Sequence, residues 1–195
     1  ANTTAGFSIV IWTGTGSAGT IAHGLGVAPK VMLVKNRDKS SQFAVYHKDI
    51  GATHYLDTTD NNQKADYDGY WNDTHPTTSV FSVGSDGDVC GGSNEKVVAY
   101  CFAEIAGYSR FGSYLGNGNN SGPYIYTGFK PAWIIIKNSS AVKDWTIWDT
   151  TRYPINFQNI QLYPNLNNAE DSASSTTRLD MLSNGFKMRG VNNKI

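Results

Sequence analysis

Gly26-Val27-Ala28-Pro29-Lys30-Val31-Met32-Leu33-Val34-Lys35-Asn36 and Gly128-Phe129-Lys130-Pro131-Ala132-Trp133-Ile134-Ile135-Ile136-Lys137-Asn138 are two versions of one phrase. In each, Gly-x-x-Pro leads into an apolar run that closes on Lys-Asn. Pro29 and Pro131 stand 131 − 29 = 102 residues apart, and at that offset Gly14, Gly16 and Gly26 match Gly116, Gly118 and Gly128. Phe43, Tyr46 and His47 match Trp145, Trp148 and Asp149 without a gap. Later the register slips, and Phe81-Ser82-Val83 resembles Phe186-Lys187-Met188. One shared glycine is cheap; this set at one offset is the signature of two related modules.

Each module reads as β. Val31 to Val34 and Trp133 to Ile136 are continuous apolar runs, which predict strands buried on both faces. Phe43 to Tyr46 and Trp145 to Trp148 alternate, as half-buried neighbours would. Phe7 to Trp12, Ser79 to Val83 and Val97 to Phe102 supply further strands, and no segment holds a helical period beyond one turn at Ala169-Glu170-Asp171. The expected fold is all-β: two tandem related β-sandwich modules, jelly-roll or lectin-like, over residues 1–106 and 107–195. The counterpart of Val97 to Phe102 would begin near 97 + 102 = 199, so the second module reads as lacking its C-terminal strand. The stretch from about Arg178 to Ile195 is therefore expected to pack against another copy, in a closed oligomer, or against a longer polypeptide.

Composition agrees. The 195 residues suffice for one large or two small domains, and 39% are apolar, enough for a core. Charged residues make up only 16%, with turn-forming residues in their place. Lys plus Arg equals Asp plus Glu, 16 against 16, which argues against a nucleic-acid or anionic-membrane partner. No apolar run reaches the ~18 residues of a membrane span, so no membrane insertion is expected. The start, Ala1-Asn2-Thr3-Thr4-Ala5-Gly6, is polar and lacks a Met, as in a processed or excised chain. Cys90 and Cys101 are expected to be free thiols: a hairpin loop at Gly91 to Asn94 would set Cys90 beside Lys96, too far from Cys101 to bridge. Free thiols fit assembly in a reducing cytosol.

The run Ala1-Asn2-Thr3-Thr4-Ala5-Gly6-Phe7-Ser8-Ile9-Val10 with Trp12-Thr13-Gly14-Thr15-Gly16 resembles a repeated domain of unknown function in virion proteins of marine tailed phages. So do His23 to Lys30, Tyr70-Trp71-Asn72-Asp73-Thr74, Val98 to Glu104, Phe111-Gly112-Ser113-Tyr114 with Gly116-Asn117-Gly118, and Leu182 to Lys187. The resemblance spans nearly the whole chain. It implies a part of a tail fibre or similar structural protein on the virion exterior, assembled in the host cytoplasm, with other copies or other virion proteins as partners. It carries no catalytic motif.

Among the residues themselves, Asp66-Tyr67-Asp68-Gly69-Tyr70-Trp71-Asn72-Asp73 is the candidate binding segment. Sugars are held by aromatic faces and by planar carboxylate or amide groups that bond hydroxyls. Asp66, Tyr67, Asp68, Tyr70, Trp71 and Asp73 supply both, which points to a host-surface glycan. The same segment also reads as a loop with Trp71 in the core. Asp57, Asp60, Asn61 and Asn62, and Asp86 with Asp88, have oxygens suited to Ca²⁺ but lack the calcium-loop spacing and read as turn residues. His23, His47, His54 and His75 show no zinc spacing, so no metal or other cofactor is expected. Glu95, Glu104 and Glu170 offer no carboxylate pair, and no Gly-x-Ser-x-Gly occurs, so an enzyme is not expected. The leading function is tail-fibre-type adhesion. A purely structural virion component (shaft, collar or capsid decoration) is the alternative, and a polysaccharide depolymerase the second.

Overall fold

The computed structural model describes residues 1–170 and 177–190. In chain order they form β1 (Phe7–Thr13), β2 (Gly19–Ala22), β3 (Val31–Asn36), β4 (Ala44–His47), β5 (His54–Asp57) and β6 (Ala65–Asp66). A one-turn helix, α1 (Asp68–Trp71), then precedes β7 (Val80–Val83) and β8 (Lys96–Phe102). The remainder are β9 (Tyr124–Tyr126), β10 (Trp133–Ile136), β11 (Thr146–Asp149), β12 (Leu179–Leu182) and β13 (Gly185–Met188). The protein is thus nearly all β, in several antiparallel sheets. Among the described residues no helix is long and apolar enough to cross a membrane. The chain divides into two compact units: residues 1–58, 64–105 and 109–112, and residues 59–63, 106–108 and 113–195.

The first unit holds a six-stranded sheet, β1-β8-β3-β4-β5-β6, and a ribbon, β2-β7. The run after Pro29 becomes the inner strand β3 because its alternation supplies two useful faces. Met32, Val34 and Asn36 point inward and are buried, while Val31 and Leu33 are half-buried outside. β8 adds Val97, Ala99 and Cys101 to the same layer. Tyr70 and Trp71 from α1 and Phe81 and Val83 from β7 close this core. Buried Asn36 donates from Nδ2 to the Gly87 carbonyl and to Glu95 Oε2, both at 2.7 Å, tying the end of β3 to the turn at 86–95.

The second unit holds the hairpin β10-β11 and the sheet β12-β13-β9. Its registers repeat those of the first. β3 and β4 pair from Val31↔His47 to Val34↔Ala44, and β10 and β11 from Trp133↔Asp149 to Ile136↔Thr146, each position moved by 102. Ile21 faces Phe81 across β2-β7, as Ile125 faces Phe186 across β9-β13. Gly26 and Gly128 take φ of 73° and 85°, which explains why the phrase begins with glycine. The side-chain oxygen of Asn36 accepts from the Asp38 N–H and that of Asn138 from the Ser140 N–H, the same Asx turn twice.

Several expectations need correction. β10 is not buried on both faces: Trp133 is 55% and Ile135 37% exposed, because no strand covers β10's other edge among the described residues. No strand precedes Gly91 to form the expected hairpin; β8 lies between β1 and β3, and Cys90 sits in a turn whose N–H donates to the Asp86 carbonyl at 2.9 Å. Both cysteines are nonetheless free and buried. Ala169 and Glu170 are not helical, and Asp171 lies outside the described residues, as do residues 191–195 of the C-terminal stretch.

Candidate functional site

The segment Asp66 to Asp73 is built around α1. Tyr67, extended at φ −165°, precedes the helix, Asp68 sits in its first turn, and Asn72 ends it in the left-handed conformation at φ 51°. One turn of helix points successive side chains in different directions. Trp71 (1% exposed) and Tyr70 (3%) turn into the core, whereas Tyr67 stays 40% exposed. Trp71 packs edge-on against Tyr46, centroids 5.9 Å apart, and against Tyr70 at 6.1 Å. Its ring therefore has no face for a ligand. Of the six residues expected to bind, Asp66, Tyr67, Asp68 and Asp73 lie at the surface and Tyr70 and Trp71 do not.

Glycines set the position of Tyr67. A Cβ on Gly69 would stand 2.4 Å from Tyr67 Cζ, so the ring rests directly over that glycine. A Cβ on Gly84 would meet the Gly69 carbonyl oxygen at 2.2 Å, so the chain just after β7 runs hard against α1. Backbone bonds lock this approach: the Gly84 N–H donates to the Tyr70 carbonyl at 2.8 Å and the Asp86 N–H to the Gly69 carbonyl at 3.0 Å. The turn carrying Asp86 and Asp88 is thereby brought to the tyrosines.

What results is a cluster that the linear segment did not disclose. The rings of Tyr55 and Tyr70 lie 4.5 Å apart, Tyr67 and Tyr70 5.2 Å, and Tyr55 and Tyr67 6.1 Å. The Tyr67 hydroxyl donates to Asp86 Oδ2 at 2.8 Å. The Tyr70 hydroxyl accepts from Gln42 Nε2 at 3.0 Å and donates toward Asp88 Oδ2 at 3.4 Å. The bond to Asp86 raises the Tyr67 phenol above its ordinary value, and burial raises that of Tyr70, so both remain protonated donors. An exposed phenol ring thus stands beside the Asp86 carboxylate, and behind it the Tyr70 hydroxyl joins Gln42 and Asp88; carboxylates and amides are groups that hold a polyol. Tyr55, Gln42 and Asp86 were missed as partners because they lie 12 or more residues from Tyr67 in the chain.

Other candidates have structural duties. Asp57 is buried in the first unit and Asp60, Asn61 and Asn62 belong to the second, where the Asn62 N–H donates to Asp60 Oδ1 at 2.8 Å. Among the described residues, no three His, Cys, Asp or Glu side chains gather as a metal site. His23 accepts the Leu25 N–H at Nδ1 and donates from Nε2 to the Thr77 carbonyl, and burial lowers its pKa. Glu104 accepts the Phe111 N–H at 3.0 Å and sits 3.4 Å from Lys48 Nζ.

Residues 1–195 match the family described as a domain of unknown function (DUF7483). No curated protein and no solved structure matches the chain.

Proposed function

We propose that this chain, which belongs over its whole length to that family of unknown function, is an adhesion module of tail-fibre type on a phage exterior, binding a host-surface glycan without catalysis. The observation that carries the reading is the exposed Tyr67 ring fixed to Asp86 and packed on Tyr70, whose hydroxyl engages Gln42 and Asp88. Ring stacking on the C–H face of a sugar and carboxylate acceptors for its hydroxyls are the two halves of carbohydrate recognition, and here they share one surface. The virion setting rests on the sequence resemblance. In this reading the units are two tandem related modules of β-sandwich, lectin-like type, meeting near residues 106–107 and working without a cofactor; the shared hairpin registers support the pairing.

The test is a panel of bacterial capsular and lipopolysaccharide glycans probed with the intact chain and with Tyr67→Ala and Asp86→Asn. The expected result is binding that each variant weakens about tenfold or more, or ~1.4 kcal/mol. Binding that survives both variants, or no binding across the panel, would overturn it.

A second reading, a structural virion component that packs on other copies or on other virion proteins, is favoured by the edge strand β1, whose outward Ile9 and Ile11 are 53% and 60% exposed.

A further inference from the structure

We infer that the edge of β10 left unpaired among the described residues is a strand-accepting site, and that its occupant is a separate extended segment with the side-chain pattern of β8. The inference is independent of the glycan reading and concerns the second unit alone. β3-β4 and β10-β11 share a register and are flanked alike on one side: Val45 pairs with Leu56, and Ile147 bridges Leu162. On the other side they differ. β3 pairs with β8 over six residues, from Val31↔Phe102 to Asn36↔Val97. Among the described residues, no strand pairs with that side of β10.

The backbone parity matches. The Lys48 N–H donates to the Lys30 carbonyl and the Arg37 N–H to the Lys96 carbonyl, each at 2.8 Å, so alternate residues of β3 serve β4 and β8. In the second hairpin the Thr150 N–H donates to the Ala132 carbonyl at 3.0 Å. Ile134 and Ile136 therefore face β11, and Trp133 and Ile135 turn their N–H and C=O groups to the open edge, a template for another strand.

Burial records the same vacancy of packing. Ile134 and Ile136 are 8% and 9% exposed where Met32 and Val34 are 1% and 0%. Sixteen buried residues make up the first hydrophobic cluster, against seven in the second among the described residues. The first unit also says what fits: β8 runs antiparallel to β3 with Val97, Ala99 and Cys101 inward, each fully buried. The β8 of a second copy is already paired on both sides. A second β10 would bring isoleucines where the template has Val, Ala and Cys. The occupant is thus a partner strand that alternates small or branched apolar residues inward, running antiparallel to β10.

The test is amide hydrogen exchange by NMR on the intact chain, with a synthetic peptide of the Lys96–Phe102 sequence between solubilising lysines. In the free protein Ile134 and Ile136 amides should be protected and Trp133 and Ile135 exchange freely. The peptide should slow Trp133 and Ile135 by ~10-fold or more. A peptide N-methylated at the positions of Val98 and Tyr100, which face β3, should do nothing. Protection of Trp133 and Ile135 in the free monomer would show that the chain closes its own edge. Protection that grows with protein concentration would show β10 pairing with β10. Either result, or a peptide that fails or acts equally well when methylated, would overturn the inference.

Discussion

Replacing Trp71 by Ala separates a core role from a binding role. Removing a buried Trp costs roughly 3–5 kcal/mol in transfer and cavity terms, a range that absorbs the edge-on contacts with Tyr46 and Tyr70, worth about 0.5–1.5 kcal/mol each. One effect offsets the loss. The indole N–H is buried with no hydrogen-bond partner, and such an orphan costs about 1–3 kcal/mol. Taking the middle of each range, Trp71→Ala should therefore destabilise by roughly 2 kcal/mol, while Trp71→Phe, which keeps a ring and deletes the orphan, should fall within about 1 kcal/mol of wild type. Both cysteines are buried and lie in the first unit, so denaturant-dependent thiol labelling reads that unit without interference from the second. A Trp71→Ala loss below about 1 kcal/mol would refute the packing argument, and so would Trp71→Phe being as damaging as Ala.

Three further outcomes follow. The unfolded, unreduced protein should titrate two thiols; in the folded protein both should react slowly, because burial raises both and takes Cys101 to about 12, and detection of a disulfide by mass spectrometry would contradict this. Glu95 is held below its ordinary value of 4.5 by Asn36 and by the Gly92 N–H; since the folded value is the lower one, its stabilisation is present at neutral pH and fades as pH falls below 4.5, so the stability gap between wild type and Glu95→Gln should shrink on acidification, and a gap that widens would be contrary. A Cβ on Gly14 would stand 2.5 Å from the Gly91 backbone, where no side chain can swing aside, so Gly14→Ala should lower the unfolding free energy read from a denaturant titration by about 1–3 kcal/mol, and an unchanged value would contradict the contact.

The likeness of the hairpins β3-β4 and β10-β11 was legible because its marks are local and chemical. Gly26 and Gly128 need positive φ, and Asn36 and Asn138 close the same turn, so the residue types could be read off the chain at one offset. The burial of β10 was misread because an apolar run states what a strand can bury, whereas a neighbouring strand decides what it does bury; Val31 has β8 beside it and Trp133 has no such strand among the described residues. The binding segment was half legible. Aromatic and acidic residues were visible from Asp66 to Asp73, but a single helical turn sends Trp71 inward and leaves Tyr67 outside, and alternation rules for loops and strands carry no such information. Asp86 and Asp88 were not visible as partners of Tyr67 and Tyr70, since that approach depends on Gly69 and Gly84 touching across the fold.

The most direct measurement is an NMR titration of the intact chain with the tightest-binding polysaccharide from the panel, following backbone and aromatic signals. Glycan binding at the tyrosine–carboxylate surface requires shifts concentrated at Tyr55, Tyr67, Asp86, Asp88 and Gln42, with Tyr67→Ala abolishing them. Shifts centred elsewhere on the chain, or shifts that persist in Tyr67→Ala, would contradict it.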